Sequence, residues 1–501
     1  VLKVTYIGYL EQSIPTAGKN SFQIVLLEDV TKLEEVVVTG IYQREKESFT
    51  GSTATYTAKE LKIVGNQNVL QSLKTLDPSF AIVENNLFGS DPNRLSDIEI
   101  RGKSSVIGLT EEYSSNPNQP LFILDGFEST LAIISDLSMD RVVSITLLKD
   151  AASTAIYGSK AANGVVVVET KRPVAGQLRV NYTFNGNVSF ADLTDYNLMN
   201  AEEKLQFEFL SQFYGLLDEN GQIILGANLN NEALYYDRLK EVRRGVNTYW
   251  ASEPLRTAFT QRHTLFAEGG DANLRYSVSL NHGITKGVMK GSDRTATNGN
   301  IRLLYKRGAI SFTNSLSIDN VLANKEASPF SDFSRANPYH RKYNADGSVK
   351  MVLEDFSATR SGYDPVYSPL YNERNLNINE QGSQGFTNNF ELEWRAMESL
   401  RVRGRFGLRS FKTRDEVFRS PFNTEFLDPL ERGKYQETNG KNLHYDGDLT
   451  VTFGKLLAKK HMLNVVGGAR MEQANKQLSS YQVFGFIDDE FSNPNFALQY
   501  P

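Results

Sequence analysis

The feature that most limits the fold is an alternation of apolar and polar side chains between residues 176 and 501. In Val180–Phe190, valine, tyrosine or phenylalanine stands at every second position except Gly186, and asparagine, threonine and serine stand between them. The same period of two recurs in Leu274–Leu280, Phe390–Ala396 and Leu400–Leu408. A period of two puts successive side chains on opposite faces of a strand. We therefore predict about nine or ten antiparallel strands, each with one apolar and one polar face.

Composition does not decide how such a sheet is used. The chain has 501 residues, a mean hydropathy of −0.38 and no apolar run long enough for a membrane-spanning helix. A soluble β-sandwich exposes its polar face to water, whereas a membrane β-barrel turns that face to a hydrated lumen. The 29 phenylalanines and 23 tyrosines suit both architectures. The alternation alone therefore leaves the sandwich and the barrel open.

Charge and residue chemistry argue against several classes of function. A formal net charge of −5 gives no basic surface that would attract nucleic acid. The chain has no cysteine, and its five histidines show no metal-binding spacing. It has no GxSxG, P-loop or GxGxxG motif. We predict no enzyme activity, metal or cofactor, with an extracellular glycoside hydrolase acting through paired carboxylates as the alternative.

Residues 51–175 have a mixed pattern that predicts one α/β domain. Within it, the stretch 147–171 leads from an apolar run through small residues to Tyr157-Gly158 and Asn163-Gly164, and then into Val165–Val168. Glycine permits a positive φ, and Asn-Gly favours a tight turn. We therefore expect two short strands around a compact linker.

This domain resembles the plug domain of TonB-dependent outer-membrane transporters. Ile98–Gly102 is similar to the Ile-Arg-Gly strand of such plugs, and Pro120–Gly126 to their Pro-Leu-x-x-x-Asp-Gly segment. The form of 147–171, with Lys149-Asp150-Ala151 and Ala161–Gly164, resembles the SusC/RagA branch, the nutrient importers of Bacteroidetes-type bacteria. Siderophore receptors usually carry Arg-Gly-Pro where this chain has Lys149-Asp150-Ala151. The resemblance implies structural rather than catalytic roles in the plug for Arg101, Gly102, Asp125, Gly126, Lys149, Asp150, Tyr157, Gly158, Asn163 and Gly164.

The segments before the plug carry a second resemblance. Glu34–Gly40 resembles a TonB box, the strand by which such transporters pair with the energising protein TonB; an ordinary core strand is the alternative. Residues 31–50 would then be the TonB box and a linker, and residues 1–30 resemble the end of a carboxypeptidase regulatory-like β-sandwich, with an N-terminal arm as the alternative. The resemblance implies TonB contacts through Glu35, Val36, Val37, Val38 and Thr39.

The predicted strands are joined by connections of very unequal length. Arg307-Gly308 and Glu398-Ser399 predict tight turns. Residues 192–250, with a helix predicted over Ala201–Tyr214, and residues 321–380 are long and polar. Long irregular segments of this kind are typical of extracellular loops in outer-membrane barrels.

The resemblance implies a transmembrane antiparallel β-barrel of about 22 strands with the α/β plug inside its lumen. At about 9–11 residues per strand, residues 176–501 supply only the first half of that barrel. We expect further residues before Val1, which is not a methionine, and the rest of the barrel after Pro501, because an open sheet edge is not viable in lipid.

The resemblance also implies a function, namely active import of a nutrient across the outer membrane of a Gram-negative, Bacteroidetes-type bacterium. A glycan or oligosaccharide is the first expectation for the substrate, and an oligopeptide is the second. The implied partners are TonB with its ExbB/ExbD complex, a SusD-like surface lipoprotein acting as a lid, and outer-membrane lipid. The alternatives are a siderophore or cobalamin receptor and a surface β-sandwich glycan-binding protein. No substrate-contacting residue is predicted.

Overall fold

The structure, a computed structural model, describes residues 2–4, 12–14, 36–38, 43–45, 52–65, 69–83, 91–93, 97–100, 102, 118–150, 154–215, 218, 220, 229–325, 328–355, 365–426, 431–457 and 461–500. The chain folds into two compact units. The first comprises Val1–Val83 and Asp97–Lys171, and the second comprises Glu84–Ser96 and Arg172–Pro501. Within the described ranges, no helix has the length and apolarity needed to cross a membrane.

Two short antiparallel pairs of strands belong to the first unit. Strand β1 (Leu2–Val4) pairs with β2 (Gln12–Ile14), and β3 (Val36–Val38) pairs with β4 (Gln43–Glu45). The three consecutive valines of β3 favour extended backbone because their branched side chains restrict χ1.

The main sheet of the first unit has five strands in the order β5-β10-β11-β8-β9. These strands are β5 (Thr53–Thr57), β8 (Leu121–Leu124), β9 (Phe127–Ser129), β10 (Val142–Leu148) and β11 (Val165–Thr170). All neighbours are antiparallel except β11 and β8. The central strands β10 and β11 are almost continuously apolar because both faces of the sheet are buried there.

A pair of strands and three helices complete the first unit. Strand β6 (Phe80–Val83) pairs with β7 (Asp97–Ile100), and the helices are α1 (Ala58–Val64), α2 (Val69–Leu76) and α3 (Leu131–Asp136). Thr57 and Glu60 form a capping box that satisfies two backbone N–H groups at the start of α1. The helices bury leucine, valine and isoleucine side chains in one core with β10 and β11.

The second unit is built on a nine-stranded, wholly antiparallel sheet in the order β12-β13-β14-β15-β16-β19-β20-β21-β22. The prediction of nine or ten strands is therefore met by the described chain. The nine strands are β12 (Gly176–Ser189), β13 (Ala258–Gly270), β14 (Leu274–Lys286), β15 (Asp293–Arg307), β16 (Ile310–Asn324), β19 (Ile378–Met397), β20 (Leu400–Arg419), β21 (Lys434–Leu457) and β22 (His461–Phe484).

The exposure of this sheet is the reverse of that in a water-soluble protein. On β12, the side chains of Leu178, Val180 and Tyr182 are 58–62% exposed. On β14, by contrast, Ser277 and Ser279 are at most 4% exposed. We call the side that carries the exposed apolar side chains the apolar face, and the opposite side the polar face. A β-sandwich would bury the apolar face against a second sheet, whereas a membrane barrel leaves it to lipid.

The two ends of this sheet differ in their connections. One end has tight turns such as 271–273, 308–309 and 398–399, as predicted for the last two. The other end carries the long connections 190–257 and 325–377. We call this the loop end of the sheet.

Glycine is required at one of the tight turns. Gly270 has a φ of 127°, and a Cβ atom added there would lie 2.1 Å from the carbonyl oxygen of Leu274. Asp271 closes the same turn, since its carboxylate accepts the backbone N–H groups of Asn273 and Leu274 at 2.7 and 2.8 Å. The Asp side chain and the missing Cβ together fix this hairpin.

Two predictions, one about the strands and one about a helix between them, are wrong in detail. The strands have 13 to 24 residues rather than about 9–11, because pairing continues at the loop end into polar segments such as the start of β19. The helix predicted over Ala201–Tyr214 ends at Leu210, where Ser211 caps it. We call this helix, Ala201–Leu210, α4. The long connections also contain elements that were not predicted. These are helix α5 (Leu229–Arg243), the short helices α6 (Phe330–Ser334) and α7 (Pro369–Asn372), and the strands β17 (Val352–Glu354) and β18 (Val366–Tyr367).

Candidate functional site

Asp125 and Gly126 form the tight turn between β8 and β9. Their φ angles are 50° and 88°, both in the left-handed region that such a hairpin turn requires. The Asp125 carboxylate accepts the backbone N–H of Thr170 at 2.8 Å and the Thr170 hydroxyl at 2.6 Å. The aspartate therefore ties this turn to the last residue of β11, which is a structural task.

Lys149 forms a buried ion pair with Asp77 just after β10. The Lys149 Nζ lies 2.6 Å from Asp77 Oδ2, and the two side chains are 15% and 2% exposed. Asp77 also accepts hydrogen bonds from the Tyr56 hydroxyl at 2.9 Å and from the backbone N–H and hydroxyl of Ser79 at 2.9 and 2.7 Å. Three separate elements, the ends of β10 and α2 and the edge strand β5, therefore meet at one carboxylate.

The electrostatics keep this carboxylate charged. Burial acts to raise the pKa of Asp77, but the hydrogen bonds from Lys149 and Ser79 outweigh burial and lower the pKa below its ordinary value. Burial and the neighbouring Asp77 raise the pKa of Tyr56 to about 12, so this hydroxyl stays a donor at neutral pH. The centre is therefore an ionised acid with a full set of donors.

Asp150 holds the start of β5. Its carboxylate accepts the backbone N–H of Ser52 at 2.5 Å, and the backbone N–H of Lys149 donates to the Ser52 carbonyl at 3.1 Å. Strand β5 is at the edge of its sheet, and among the described strands its partner is β10. Ser52 is therefore held in place directly before β5 by the backbone and the side chain of the segment that follows β10.

Tyr157, Gly158, Asn163 and Gly164 shape the connection between β10 and β11. Tyr157 is 6% exposed and belongs to a small apolar cluster beneath the sheet. Gly158 and Gly164 have φ angles of 67° and 89°, and a Cβ on Gly164 would lie 3.1 Å from the carbonyl oxygen of Leu148. Asn163 donates to the carbonyl of Gln119 at 3.4 Å. These residues serve turn geometry and packing.

The structure thus sorts the predicted plug residues into two groups. Lys149, Asp150 and Gly164 lie at the end of the five-stranded sheet where β11 begins, and Asp125 lies at the opposite end, beside Thr170. Gly102 is exposed with a φ of 87°. Val36, Val37 and Val38 form β3, whereas Glu35, Thr39 and Arg101 lie outside the described residues.

A second cluster, which the sequence did not predict, joins the two long connections at the loop end. Its centre is Arg238 on α5, which is 6% exposed. The Arg238 Nε and Nη2 donate to the two carboxylate oxygens of Glu354 at 2.7 and 2.6 Å. Its Nη1 donates to Glu208 Oε2 at 3.0 Å and to the hydroxyl of Tyr214 at 2.9 Å. We call these residues, with Tyr339, the Arg238 cluster.

The remaining contacts of the Arg238 cluster are aromatic and polar. The hydroxyls of Tyr214 and Tyr339 donate to Glu208 at 2.5 and 3.1 Å, and the guanidinium carbon of Arg238 lies 4.7 Å from the centre of the Tyr339 ring. Burial acts to raise the pKa of Glu354, but Arg238 and the nearby His340 outweigh it and lower that pKa to about 2. Both ends of the pair are therefore charged over the physiological range.

A small apolar core lies in the same pair of connections. Trp250, Phe333 and Leu353 are at most 5% exposed and pack together. The Trp250 indole N–H donates to the carbonyl oxygen of Asn337 at 2.9 Å, and the backbone N–H of Thr248 donates to the carbonyl oxygen of Pro338 at 2.8 Å. The two long connections therefore fold as one body rather than as separate loops.

No local pattern marks this cluster in the sequence. Glu208, Arg238 and Glu354 are single charged residues in polar segments, where a solvated surface is the ordinary expectation. They become buried only when segments far apart in the chain meet. Among the described residues, no group of three or more histidine, aspartate or glutamate side chains is placed to hold a metal ion.

Comparison with known proteins finds similarity to TonB-dependent receptors. Residues 45–165 match the TonB-dependent receptor plug domain family. The TonB-dependent receptor SusC of Bacteroides thetaiotaomicron is 30% identical over 301 residues, which cover 58% of this chain and 26% of that protein. TonB-dependent receptor P26 of Formosa agariphila is 25% identical over 507 residues, which cover 98% of this chain and 46% of that protein. The chain therefore spans less than half the length of these curated relatives.

Solved structures show the same fold. The RagAB peptide importer in its open-open state matches with a TM-score of 0.73 at 20% identity, covering 93% of this chain and 52% of that chain. The pyoverdine-bound FpvA of Pseudomonas aeruginosa matches with a TM-score of 0.53 at 11% identity, covering 93% and 49%. A plug domain followed by a large antiparallel sheet is thus shared, and in this chain the sheet is part of a barrel. Plug motifs, sheet and relatives agree: residues 45–165 match the plug domain of TonB-dependent receptors, and the chain is similar to receptors of the SusC type.

Proposed function

We propose that this protein imports a nutrient across the bacterial outer membrane by a TonB-dependent mechanism. The observation that carries the proposal is a plug domain joined to a sheet with an exposed apolar face and a buried polar face. A barrel with a lipid-facing belt and a hydrated lumen requires that distribution, and a plug provides the gate. The protein performs no covalent step in this scheme.

The proposed substrate is a glycan or oligosaccharide in the first place and an oligopeptide in the second. Half-exposed aromatic side chains such as Tyr196, Tyr249 and Tyr343 lie in the long connections and suit stacking on either ligand. RagAB is described as a peptide importer, which supports the second candidate. Uptake of labelled oligosaccharides and labelled oligopeptides by cells that carry the transporter, with ligand retained on the purified protein identified by mass spectrometry, decides between them.

We propose residues 35–39 as the segment that TonB, energised by ExbB and ExbD, engages by strand addition. Val36–Val38 already has extended backbone and pairs on one side with β4, which supports a role as an added strand. A pull on this segment reaches the plug at Ser52, where Asp150 holds the backbone, and then loads the pairing of β5 with β10. Because β5 is an edge strand, it can leave without breaking the rest of the sheet.

A SusD-like lipoprotein is the proposed lid over the substrate. The structural match to the RagAB peptide importer supports a two-component transporter. Co-purification from outer membranes tests this partner directly. A transporter that is isolated alone under conditions that preserve known lipoprotein complexes would contradict it.

Deletion of Glu34–Gly40 tests the energy coupling. We expect uptake to stop while substrate binding at the cell surface persists, because binding needs no TonB. A second variant replaces the same seven positions by glycine and serine. It keeps the linker length and should behave like the deletion. Normal uptake by either strain would remove the coupling proposal, and purification without detergent would remove the barrel itself in favour of a soluble sheet protein.

A further inference from the structure

Two lysines stand directly opposite each other on the apolar face. Lys412 on β20 and Lys441 on β21 are register partners, and both side chains are exposed. Side chains at directly opposed positions have Cβ atoms about 4.5–5.5 Å apart, and like charges there are destabilising. In the described part of the chain, neither lysine forms an ion pair or side-chain hydrogen bond.

Their place on the sheet is the loop-end border of the exposed apolar side chains. On β20, the exposed Phe406 shares a face with Lys412, because the two are an even number of residues apart and β20 pairs with β21 without a bulge. On β21, Leu443 is 41% exposed and is the next residue on that face from Lys441. The lysines therefore lie just past the belt that this face presents.

The neighbours of the pair on this face are hydrogen-bond donors. Continuing the register across the sheet, Gln384 on β19 lies beside Lys412, and Gln477 on β22 lies beside Lys441. Beyond Gln384 comes Asn320 on β16. Five adjacent strands thus present two ammonium groups flanked by amides, with no carboxylate in the row.

The nearest acids on the same face are already engaged. Arg414, the next residue on this face of β20, lies 3.1 Å from Glu416 and 2.9 Å from Glu437. The Tyr435 hydroxyl also donates to Glu437, at 2.8 Å. These two glutamates therefore share Arg414 one step farther toward the loop end, and neither of them pairs with the lysines.

From these positions we infer that Lys412 and Lys441 form a binding site for the phosphate of a phosphorylated lipid in the outer leaflet. The inference rests on the proposed outer-membrane location, in which the loop end faces outside the cell. A phosphate between the two ammonium groups replaces their repulsion by two charge-assisted contacts, and Gln384 and Gln477 donate from either side. The acyl chains then lie along the exposed side chains of Phe406 and Leu443.

The test uses the full-length transporter, purified in detergent, with monophosphoryl lipid A as the probe and lipid retention read by native mass spectrometry. The variant is Lys412→Gln/Lys441→Gln, and the matched control is Lys476→Gln, an exposed lysine on the opposite face of β22. We expect the double variant to bind the probe about thirty-fold more weakly, at roughly a factor of five per lysine near an anionic lipid surface, and the control to bind like the wild type. The thermal melting temperature of each variant confirms that the fold is retained.

Two further arms identify the source of the phosphate. Dephosphorylated lipid A should bind the wild type no better than it binds the double variant, and millimolar inorganic phosphate should not displace the probe, because the acyl chains add contacts that the free ion lacks. Equal retention of both lipids, unchanged binding by the double variant, or displacement by free phosphate would each overturn the inference. Nutrient uptake is measured separately in cells, so that failure of the transport proposal and failure of the lipid site remain distinguishable.

Discussion

The substitution Arg238→Met should open the two long connections locally. Methionine keeps an unbranched side chain of similar length but removes the charge from a group that makes four hydrogen bonds, two to Glu354, one to Glu208 and one to Tyr214. Glu354 and Glu208 would then stay buried without their cation. Breaking a buried pair on one side costs about 3–5 kcal/mol.

The depressed pKa of Glu354 points to a cost of similar size. Its native pKa is about 2, against an ordinary value of 4.5. At about 1.4 kcal/mol per pKa unit, this difference corresponds to roughly 3 kcal/mol of stabilisation of the charged form at neutral pH. Arg238 supplies a large part of this stabilisation, so breaking the ion pair and losing the pKa shift correspond to costs of similar size.

Hydrogen–deuterium exchange of the full-length transporter in detergent measures this loss. A local loss of about 3 kcal/mol should speed amide exchange in α5 and in residues 337–354 by roughly a hundredfold, while β10 and β11 in the first unit stay protected. The control is Arg244→Met, just beyond the same helix, where the arginine side chain is 52% exposed and pairs with Glu241 at 3.0 Å. An exposed pair of this kind contributes about 0–1 kcal/mol, so exchange should change little. Equal exchange in the two variants would refute the view that the Arg238 cluster holds the connections together.

Two further predictions concern charge. Lys149→Met should lower the free energy of opening of β5 and β10 by about 3–5 kcal/mol, because it leaves Asp77 buried without its cation. Lys160→Met breaks an exposed pair at 3.1 Å and should cost less than about 1 kcal/mol. Amide exchange of β5 and β10 in the intact protein measures both losses, and similar losses would contradict a buried role for Lys149. Because the native pKa of Glu354 is depressed, its stabilisation is fully present above its ordinary pKa of 4.5 and is lost as the pH falls toward about 2. Exchange in α5 should therefore accelerate over that range in the wild type and depend less on pH in Arg238→Met, and an unchanged pH profile in the variant would count against the pair.

The sequence was most informative where the local structure depends on residues that are close together in the chain. The period of two in Val180–Phe190 assigns each side chain to a face without knowledge of the partner strand, and β12 bears this out. The tight turns 308–309 and 398–399 were predicted for the same reason, since hairpin turns depend on a few adjacent residues.

The sequence failed where burial depends on distant segments. Helix α5 contains good helix formers but presents polar and apolar residues without a clear apolar stripe, so periodicity does not reveal it. Arg238 reads as a solvated charge until the segment ending in Glu354 folds over it. Strand ends were missed for a related reason. Strand β19 begins at Ile378 in a polar run without alternation, and this run is extended because it pairs with β16 and β20.

Alternation defines two faces but does not say which of them meets water, and this ambiguity has a physical resolution. A side chain such as Leu178 or Val180 costs about 1.5–3 kcal/mol if it is left in water rather than buried. Repeated along nine strands, that cost would exceed the whole stability of an ordinary domain, which is about 5–15 kcal/mol. A sheet that exposes its apolar face and buries Ser277 and Ser279 is therefore stable only where lipid or another apolar surface covers that face. In the long connections, a buried charge network around Arg238 and a small apolar core around Trp250 together hold the two segments in one body.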